Sequence, residues 1–345
     1  MQRIMSSSPK AGEAINVITK LQSFFTNEMH GLSDRDGITT SFHPVEWFRD
    51  EGRHGGGVRY VAEEGGIFDR ASINMSQVQY EGKTKKPLSS ASALSAIVHP
   101  KNPLAPSIHM HISYTELKSG KGYFRLMADL NPSIEFPEDK EAFNKSLQKS
   151  APHEFAVATK EGEAYFFIPA LKRHRGVCHF YLENFSSEDF QKDLNLAENF
   201  GLDTIKTYKS IVERRLKGER EPTKEEKDKQ LAYHTLYFFQ VLTLDRGTTT
   251  GLLVHDQNDE GIMGSLPSRV DKKLLSSWQK LLPDAQKGLL SAICHCLEGE
   301  SVCLVERNTK LALAKALREH YQNHPDALNW QAKGSQLPKT VENHT

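Results

Sequence analysis

The sequence has few cysteines and no excess of charge of either sign. Its 345 residues include four cysteines, and 44 lysines and arginines balance 44 aspartates and glutamates. Four clustered cysteines are too few for a disulfide framework. A neutral chain also lacks the overall field that holds nucleic acid or an anionic membrane. We therefore expect no nucleic-acid partner, and any anionic ligand must be bound by local charges.

Long apolar runs are also missing. No stretch approaches the roughly 18 apolar residues of a membrane span, and nothing near the start resembles a secretory signal. We expect a cytoplasmic protein with no membrane span. The triplet Cys294, His295, Cys296 has the composition of a metal site, but it lies within an apolar helical run at 288–297, so core packing is predicted there.

Residues 107–113 alternate strictly between polar and apolar side chains. As a β-strand they place Ser107, His109, His111 and Ser113 on one face. Residues 95–103 just upstream add His99 and a proline-bounded turn. Two imidazoles on one strand face, with a third close by, predict a functional site around residues 95–114.

The coarse pattern predicts an α+β protein in which a large antiparallel sheet is flanked by helices on both faces. An amphipathic helix is expected over 11–31, strands over 55–130, and helices from 186 and again after 270. Further strands are expected over 163–168, 177–182, 236–244 and 251–255, the last two joined by a hairpin at 245–248. A main domain over 1–270 would precede a helical extension with a polar tail over 271–345.

Several segments in one order resemble the oxygen-dependent coproporphyrinogen oxidases. The resemblance covers roughly residues 40–270. It is carried by residues 55–57, 65–76, 95–109, 129–132, 208–215, 245–248, 251–252 and 265–267. It implies the same large antiparallel sheet, a homodimer, and activity without a metal or organic cofactor.

The reaction implied by this resemblance is oxidative decarboxylation of two propionates of coproporphyrinogen III to vinyl groups, with dioxygen as co-substrate, giving protoporphyrinogen IX in haem biosynthesis. Pyrrole N–H groups suit a buried carboxylate, and propionates suit arginines. By motif, Asp129 would bind the pyrrole N–H groups, Arg175 and Arg246 would bind propionates, and His109 would act as an acid or base.

The resemblance thus implies His109, Asp129 and Arg246 as catalytic residues. The predicted substrate-binding residues are Ser95, His99, Asn102, His111, Ser113, Arg125, Arg175 and Asp245. Plainer interpretations stay open, because Asp129 also suits a turn at a strand end and Asp245 with Arg246 suits an ordinary hairpin turn.

The sequence departs from the family pattern near the predicted site. An expected Asn-x-Arg reads His111 and Ser113, three expected glycines read Arg125, Leu126 and Met127, and histidines proposed as metal ligands in some members fall on Asn144 and Ala170. Arg125 would then replace a missing guanidinium or fill the cavity.

Three functions follow as hypotheses. The first is a divergent coproporphyrinogen oxidase, and the second is a homologue that binds a tetrapyrrole without the usual reaction. The third is a metal-dependent enzyme using His99, His109 and His111, since same-face residues about 6.6 Å apart on a strand can share an ion.

Overall fold

A computed structural model describes residues 2–62, 65–82, 84–218 and 220–344. The strands are β1 Phe42–Phe48, β2 Gly55–Ala62, β3 Phe68–Gln79, β4 Leu88–Pro100, β5 Ser107–Leu117, β6 Gly122–Asn131, β7 Phe167–Ile168, β8 Arg173–His174, β9 Cys178–Phe185, β10 Arg269–Asp271 and β11 Val302–Leu304. The α-helices are α1 Pro9–His30, α2 Pro137–Ser150, α3 Phe155–Phe166, α4 Phe190–Leu216, α5 Lys224–Thr243, α6 Arg246–Val254, α7 Asp259–Ile262, α8 Lys272–Ser277, α9 Asp284–His295 and α10 Arg307–Asn323.

Seven strands form one antiparallel sheet in the order β1-β2-β3-β4-β5-β6-β9. On one face, apolar side chains such as Leu94, Ile112 and Leu130 pack against α1, α2 and α4. The opposite face is covered by α5, α6 and the C-terminal helices, which share a second core that includes Ile97 and Met127 of the sheet. The predicted fold class, an antiparallel sheet with helices on both faces, is confirmed.

Local chemistry explains where several elements begin. Ser8 caps α1 and Pro9 occupies its first turn, where a missing N–H has no cost. The predicted helix over 11–31 is confirmed, with Gly31 at its end. Thr223 and Glu226 form a reciprocal capping box that starts α5, as their spacing favours.

The predicted strands over 236–244 and 251–255 are wrong, and so is the hairpin between them. These residues belong to α5 and α6, and Asp245 caps α6 by accepting a hydrogen bond from the Thr248 N–H at 2.7 Å. Residues 233–243 are all buried, so the helix has no polar face to give it the 3.6-residue period. Residues 163–166 likewise lie in α3, and the helical residues expected from 186 onward begin with one continuous helix, α4 Phe190–Leu216.

The C-terminal residues pack on the second core. Leu275, Leu289 and Leu313 share one buried cluster with Leu236 of α5, and Cys294 and Cys296 pack partly buried against it, as predicted. All four cysteines are free thiols. Within the described ranges, none of the helices combines the length and apolarity needed to cross a bilayer.

Two glycines provide a matched test of how closely strand β2 approaches its neighbours β1 and β3. A Cβ on Gly57 would lie 2.2 Å from the Met75 carbonyl oxygen and 2.7 Å from the Trp47 indole nitrogen, whereas a Cβ on Gly12 of α1 meets nothing within 4 Å. We expect Gly57→Ala to lower the free energy of unfolding by about 2 kcal/mol or more. Gly12→Ala should raise it by about 0.5–1 kcal/mol. Urea denaturation measures both, and equal effects of one sign would contradict the described strand spacing.

Candidate active site

A cavity of about 280 Å³ lies between the polar face of the sheet and the segments from α5 to the turn after α7. The sheet contributes polar groups to its wall, and the covering helices contribute tyrosines and a carboxylate. Its charged, imidazole and phenol groups are His109, His111, Arg125, Tyr165, Tyr181, Tyr237, Asp245 and His255. The cavity therefore has acceptors, donors and a cation on its wall.

The alternation predicted for residues 107–113 is confirmed. Ile108, Met110 and Ile112 belong to the apolar core, while His109 and His111 line the cavity on the other face. Ser107 lies on the same face as these histidines, but its hydroxyl is hydrogen-bonded to His99 Nδ1 at 2.8 Å.

The structure divides the predicted site residues into two groups. Those that line the cavity are Ser95, His109, His111, Arg125 and Asp245. Elsewhere in the described chain lie Ser113, His99, Asn102, Asp129, Arg175 and Arg246. The catalytic and binding roles given to both groups stay predictions, but their positions determine what each can touch.

Asp129 and Arg175 form a buried ion pair behind the cavity wall. Arg175 Nε and one terminal nitrogen donate to Asp129 Oδ2 at 3.0 and 2.6 Å, and both side chains are at most 1% exposed. The other carboxylate oxygen accepts from His179 Nδ1 at 2.7 Å. Burial raises the pKa of Asp129, but the charge of Arg175 and the hydrogen bonds from His179 and Arg175 outweigh burial and hold it well below its usual range. Asp129 is thus an ionised carboxylate with protein partners on both oxygens.

Arg175 also connects this pair to the cavity. Its terminal nitrogen lies 2.9 Å from His109 Nδ1. A guanidinium is always a donor, so Nδ1 must be the acceptor and the proton of neutral His109 must sit on Nε2. Burial, followed by the charge of Arg175, lowers the pKa of His109 to about 4. At neutral pH His109 is therefore an uncharged imidazole on the cavity wall with its proton on Nε2.

Arg125 lines the cavity but is already paired. Its Nε and a terminal nitrogen donate to the two oxygens of Glu183 at 2.5 and 2.9 Å, a bidentate arrangement. Tyr181 O–H donates to the same carboxylate. An anionic ligand must compete with Glu183 for this guanidinium.

Arg246 and Asn102 have structural partners. Arg246 donates to the carbonyl oxygens of Pro338 and Leu328 at 3.3 and 3.0 Å and is 3% exposed. Asn102 Oδ1 accepts from the Leu104 N–H at 2.9 Å in the turn after β4. The guanidinium of Arg246, which the resemblance assigns to a propionate, is thus hydrogen-bonded to the C-terminal segment.

The three histidines of the metal hypothesis do not converge in the described structure. Both ring nitrogens of His99 are engaged, Nδ1 with Ser107 and Nε2 with the Ser265 carbonyl oxygen at 3.3 Å. His109 Nδ1 is engaged with Arg175. This geometry argues against an ion shared by His99, His109 and His111.

Sequence reasoning missed several cavity and support groups, including Tyr165, Tyr237, His179 and Glu183. His179 was within reach, because the predicted strand at 177–182 alternates and places it opposite Cys178 and Phe180, which face the core. Tyr237 lies in the segment mistaken for a strand. Glu183 could be found only from the pairing of β6 with β9.

Fold and cavity together define an α+β protein with a ligand cavity on the polar face of an antiparallel sheet. The family profile described as coproporphyrinogen III oxidase matches residues 14–286. The oxygen-dependent coproporphyrinogen-III oxidase of Rickettsia akari is 27% identical over 273 residues, covering 74% of this chain and 95% of the relative. The enzyme of the same name from Rickettsia bellii is 30% identical over 240 residues, covering 65% and 82%. That from Drosophila melanogaster is 28% identical over 275 residues, covering 73% and 69%.

The chain belongs to the coproporphyrinogen III oxidase family, a family of oxidoreductases. The predicted resemblance is confirmed at the level of the family. Its identity to these relatives is low, which agrees with the substitutions already noted at residues 111, 113 and 125–127.

The buried ion pair makes a first prediction. Arg175→Met leaves the Asp129 carboxylate buried beside an apolar side chain, so the free energy of unfolding should fall by about 3–5 kcal/mol. The double variant Arg175→Met, Asp129→Asn should recover part of this loss. Lys145→Met removes an exposed pair with Glu141 and should cost less than about 1 kcal/mol. Urea denaturation measures the free energy of unfolding of each variant. A loss below about 1 kcal/mol for Arg175→Met would contradict the claim that Arg175 neutralises a buried charge on Asp129.

The buried histidines make a second prediction. Burial lowers the pKa of His99 to about 3 and that of His109 to about 4, against about 6.5 in the unfolded chain. The unfolded chain binds protons first as pH falls, so the free energy of unfolding should be highest above pH 7 and fall from pH 6.5 to about 4 for His109 and to about 3 for His99. The expected loss is about 2 kcal/mol per histidine at pH 5. His99→Asn should make the decline shallower, while exposed His153→Asn should not. The free energy of unfolding is measured against pH for the wild type and both variants. Equal slopes for all three proteins would contradict the prediction.

Proposed function

We propose that this chain catalyses oxidative decarboxylation of two propionates of coproporphyrinogen III, with dioxygen as oxidant and without a metal or organic cofactor in the cavity. Each propionate loses its carboxylate as CO2 and a hydrogen from its β carbon, leaving a vinyl group. The two electrons released, with that hydrogen and one proton from solvent, reduce one dioxygen to hydrogen peroxide. Membership of the family supports the substrate class.

One observation carries the proposal: a guanidinium and a carboxylate line the same cavity on the polar face of the sheet. Arg125 and Asp245 both contribute to its wall, together with three histidines and three tyrosines. Pyrrole N–H donors require a carboxylate, and propionates require cations or N–H and O–H donors. The cavity thus supplies each kind of group that a porphyrinogen needs.

Asp245 is the carboxylate assigned to the pyrrole N–H groups in this proposal. Its Oδ2 caps α6, and its Oδ1 lies 3.3 Å from the Tyr165 hydroxyl. Asp129 carried this role by motif, but it does not line the cavity and both its oxygens bind buried partners, whereas Asp245 lines the cavity. We assign Asp129 a positioning role instead, because it fixes Arg175 and through Arg175 the tautomer of His109.

His109 serves as a hydrogen-bond donor at neutral pH. Its Nδ1 accepts from Arg175, so its Nε2–H is available to a substrate carboxylate or to a reduced oxygen species. A neutral donor on the cavity wall stabilises developing negative charge without adding a charge of its own. The pKa of about 4 places its protonation below physiological pH.

A second candidate is a tetrapyrrole-binding homologue with altered specificity or no turnover. Arg125 and Met127 occupy positions where the resemblance expects glycine, and both line the cavity. The cavity of about 280 Å³ is at the small end of ligand sites, which span roughly 300–1,000 Å³. A full macrocycle would require the Arg125–Glu183 pair to move.

A homodimer and a cytoplasmic location complete the proposal. The dimer rests on the family resemblance alone. Four free thiols support a reducing compartment.

The test is turnover of anaerobically prepared coproporphyrinogen III after admission of air, with vinyl products separated by chromatography. We expect Asp245→Asn to lower kcat/KM by about 100-fold or more. Asparagine is as good a helix cap as aspartate, so α6 should be retained. Asp189→Asn at the cap of α4 is the matched control and should keep full activity.

Tight binding without vinyl product in the wild-type protein would refute the enzyme and favour the binding homologue. Asp245→Asn with unchanged kcat/KM would refute the role of that carboxylate.

A further inference from the structure

A cluster of two histidines and a glutamate lies outside the cavity, where three elements meet. Glu163 is on α3, His174 on β8 and His179 on β9. One ligand atom from each lies within 4.8 Å of the other two. His174 Nε2 is 3.0 Å from one oxygen of Glu163, and His179 Nε2 is 4.0 Å from the other. Nitrogen and oxygen donors therefore converge on one point.

Asp129 fixes the orientation of His179 through the ring nitrogen that points away from the cluster. Its Nδ1 lies 2.7 Å from Asp129 Oδ1, with both side chains at most 1% exposed. The carboxylate is the acceptor, so Nδ1 carries the proton, and in the neutral ring Nε2 carries the lone pair on the side of the cluster. A carboxylate on the far nitrogen is the usual support of metal-ligating histidines, since it fixes the tautomer and raises the basicity of the ligand.

The spacing also suits a small ion. Bonds of about 2.0–2.2 Å at tetrahedral angles separate donor atoms by about 3.3–3.5 Å. The two nitrogen–oxygen separations of 3.0 and 4.0 Å bracket this value. The two imidazole rings stack with centroids 5.2 Å apart, and their donor atoms lie within 4.8 Å of each other.

We propose that Glu163, His174 and His179 bind one divalent transition-metal ion, of which Zn²⁺ fits the donor set best. Two imidazoles and one carboxylate favour zinc over calcium or magnesium, which prefer oxygen ligands. Glu163 is 48% exposed, so solvent supplies the remaining ligand. The site lies outside the cavity and does not depend on the proposed reaction.

The ion would hold α3 to β8 and β9, the two strands on either side of Arg175. His179 bridges the cluster and Asp129, and Asp129 holds Arg175. A metal on Nε2 would hold His179 in the orientation that Asp129 requires. Without the ion, His174 Nε2 donates to the Glu163 carbonyl oxygen at 3.0 Å, so binding displaces that proton.

The experiment uses full-length protein stripped with a chelator and titrated with ZnCl2 against a chromophoric competitor. We expect one Zn²⁺ per chain and a rise in Tm on zinc addition. Glu163→Gln and His174→Ala should each weaken binding about 100-fold or more and abolish the Tm rise. Both side chains are partly exposed, so the variants should fold, as circular dichroism will verify.

Two controls separate this site from others. His153→Ala with Glu154→Gln changes the same residue types just before α3 and should leave zinc binding intact. Cys294→Ser with Cys296→Ser removes the thiols nearest to His295 and should also leave it intact. Co²⁺ substitution should give the visible absorption of a site with two histidines, lost in His174→Ala.

Sub-stoichiometric zinc, or affinity unchanged in Glu163→Gln and His174→Ala, would overturn the proposal and leave a histidine–glutamate ion pair only. Zinc binding lost in the cysteine variant would assign the ion to α9 and overturn the proposal equally.

Discussion

A buried carboxylate that must be neutralised organises the functional half of this structure. Asp129 lies on β6, next to the edge strand β9, with no exposed surface, where an ionised group without partners is prohibitively costly. Arg175, from the segment between β8 and β9, and His179 of β9 satisfy it. Their positions in turn determine the tautomer of His109 and the lone pair that His179 presents to Glu163. The need to neutralise Asp129 therefore influences side-chain positions both at the cavity and at the proposed metal site.

One face of the sheet packs in the apolar core, and the other face lines the cavity. Strand alternation sends Leu126 and Ala128 into the apolar core and Arg125, Met127 and Asp129 to the opposite side. Substitutions at 125 and 127 therefore change the cavity, while one at 126 changes the core. The Arg125–Glu183 pair adds a guanidinium together with its counter-charge, so the cavity wall gains a cation without gaining net charge. Under the proposed function, a substrate carboxylate would displace the Glu183 carboxylate from Arg125.

Prediction from sequence succeeded where a period of two or a cap was visible. The alternation of residues 107–113 located His109 and His111 correctly, and the resemblance supplied the family and the sheet. It failed at residues 236–255, because a helix buried on every side has no polar stripe and its aromatic residues favour strands. It also could not show that Asp129 and Arg175 bind each other. That pairing depends on β9 lying beside β6, a contact between residues distant in the chain.

The central claim is that this cavity performs a two-electron oxidation of propionates rather than merely holding a tetrapyrrole. The most direct measurement is the stoichiometry of gas exchange: dioxygen consumed, CO2 released and hydrogen peroxide formed, followed together after coproporphyrinogen III is mixed with the enzyme. The account predicts one dioxygen consumed and one peroxide formed for each CO2, with two CO2 per substrate molecule. Substrate bound at full occupancy without CO2 release, or CO2 released without dioxygen uptake, would contradict it.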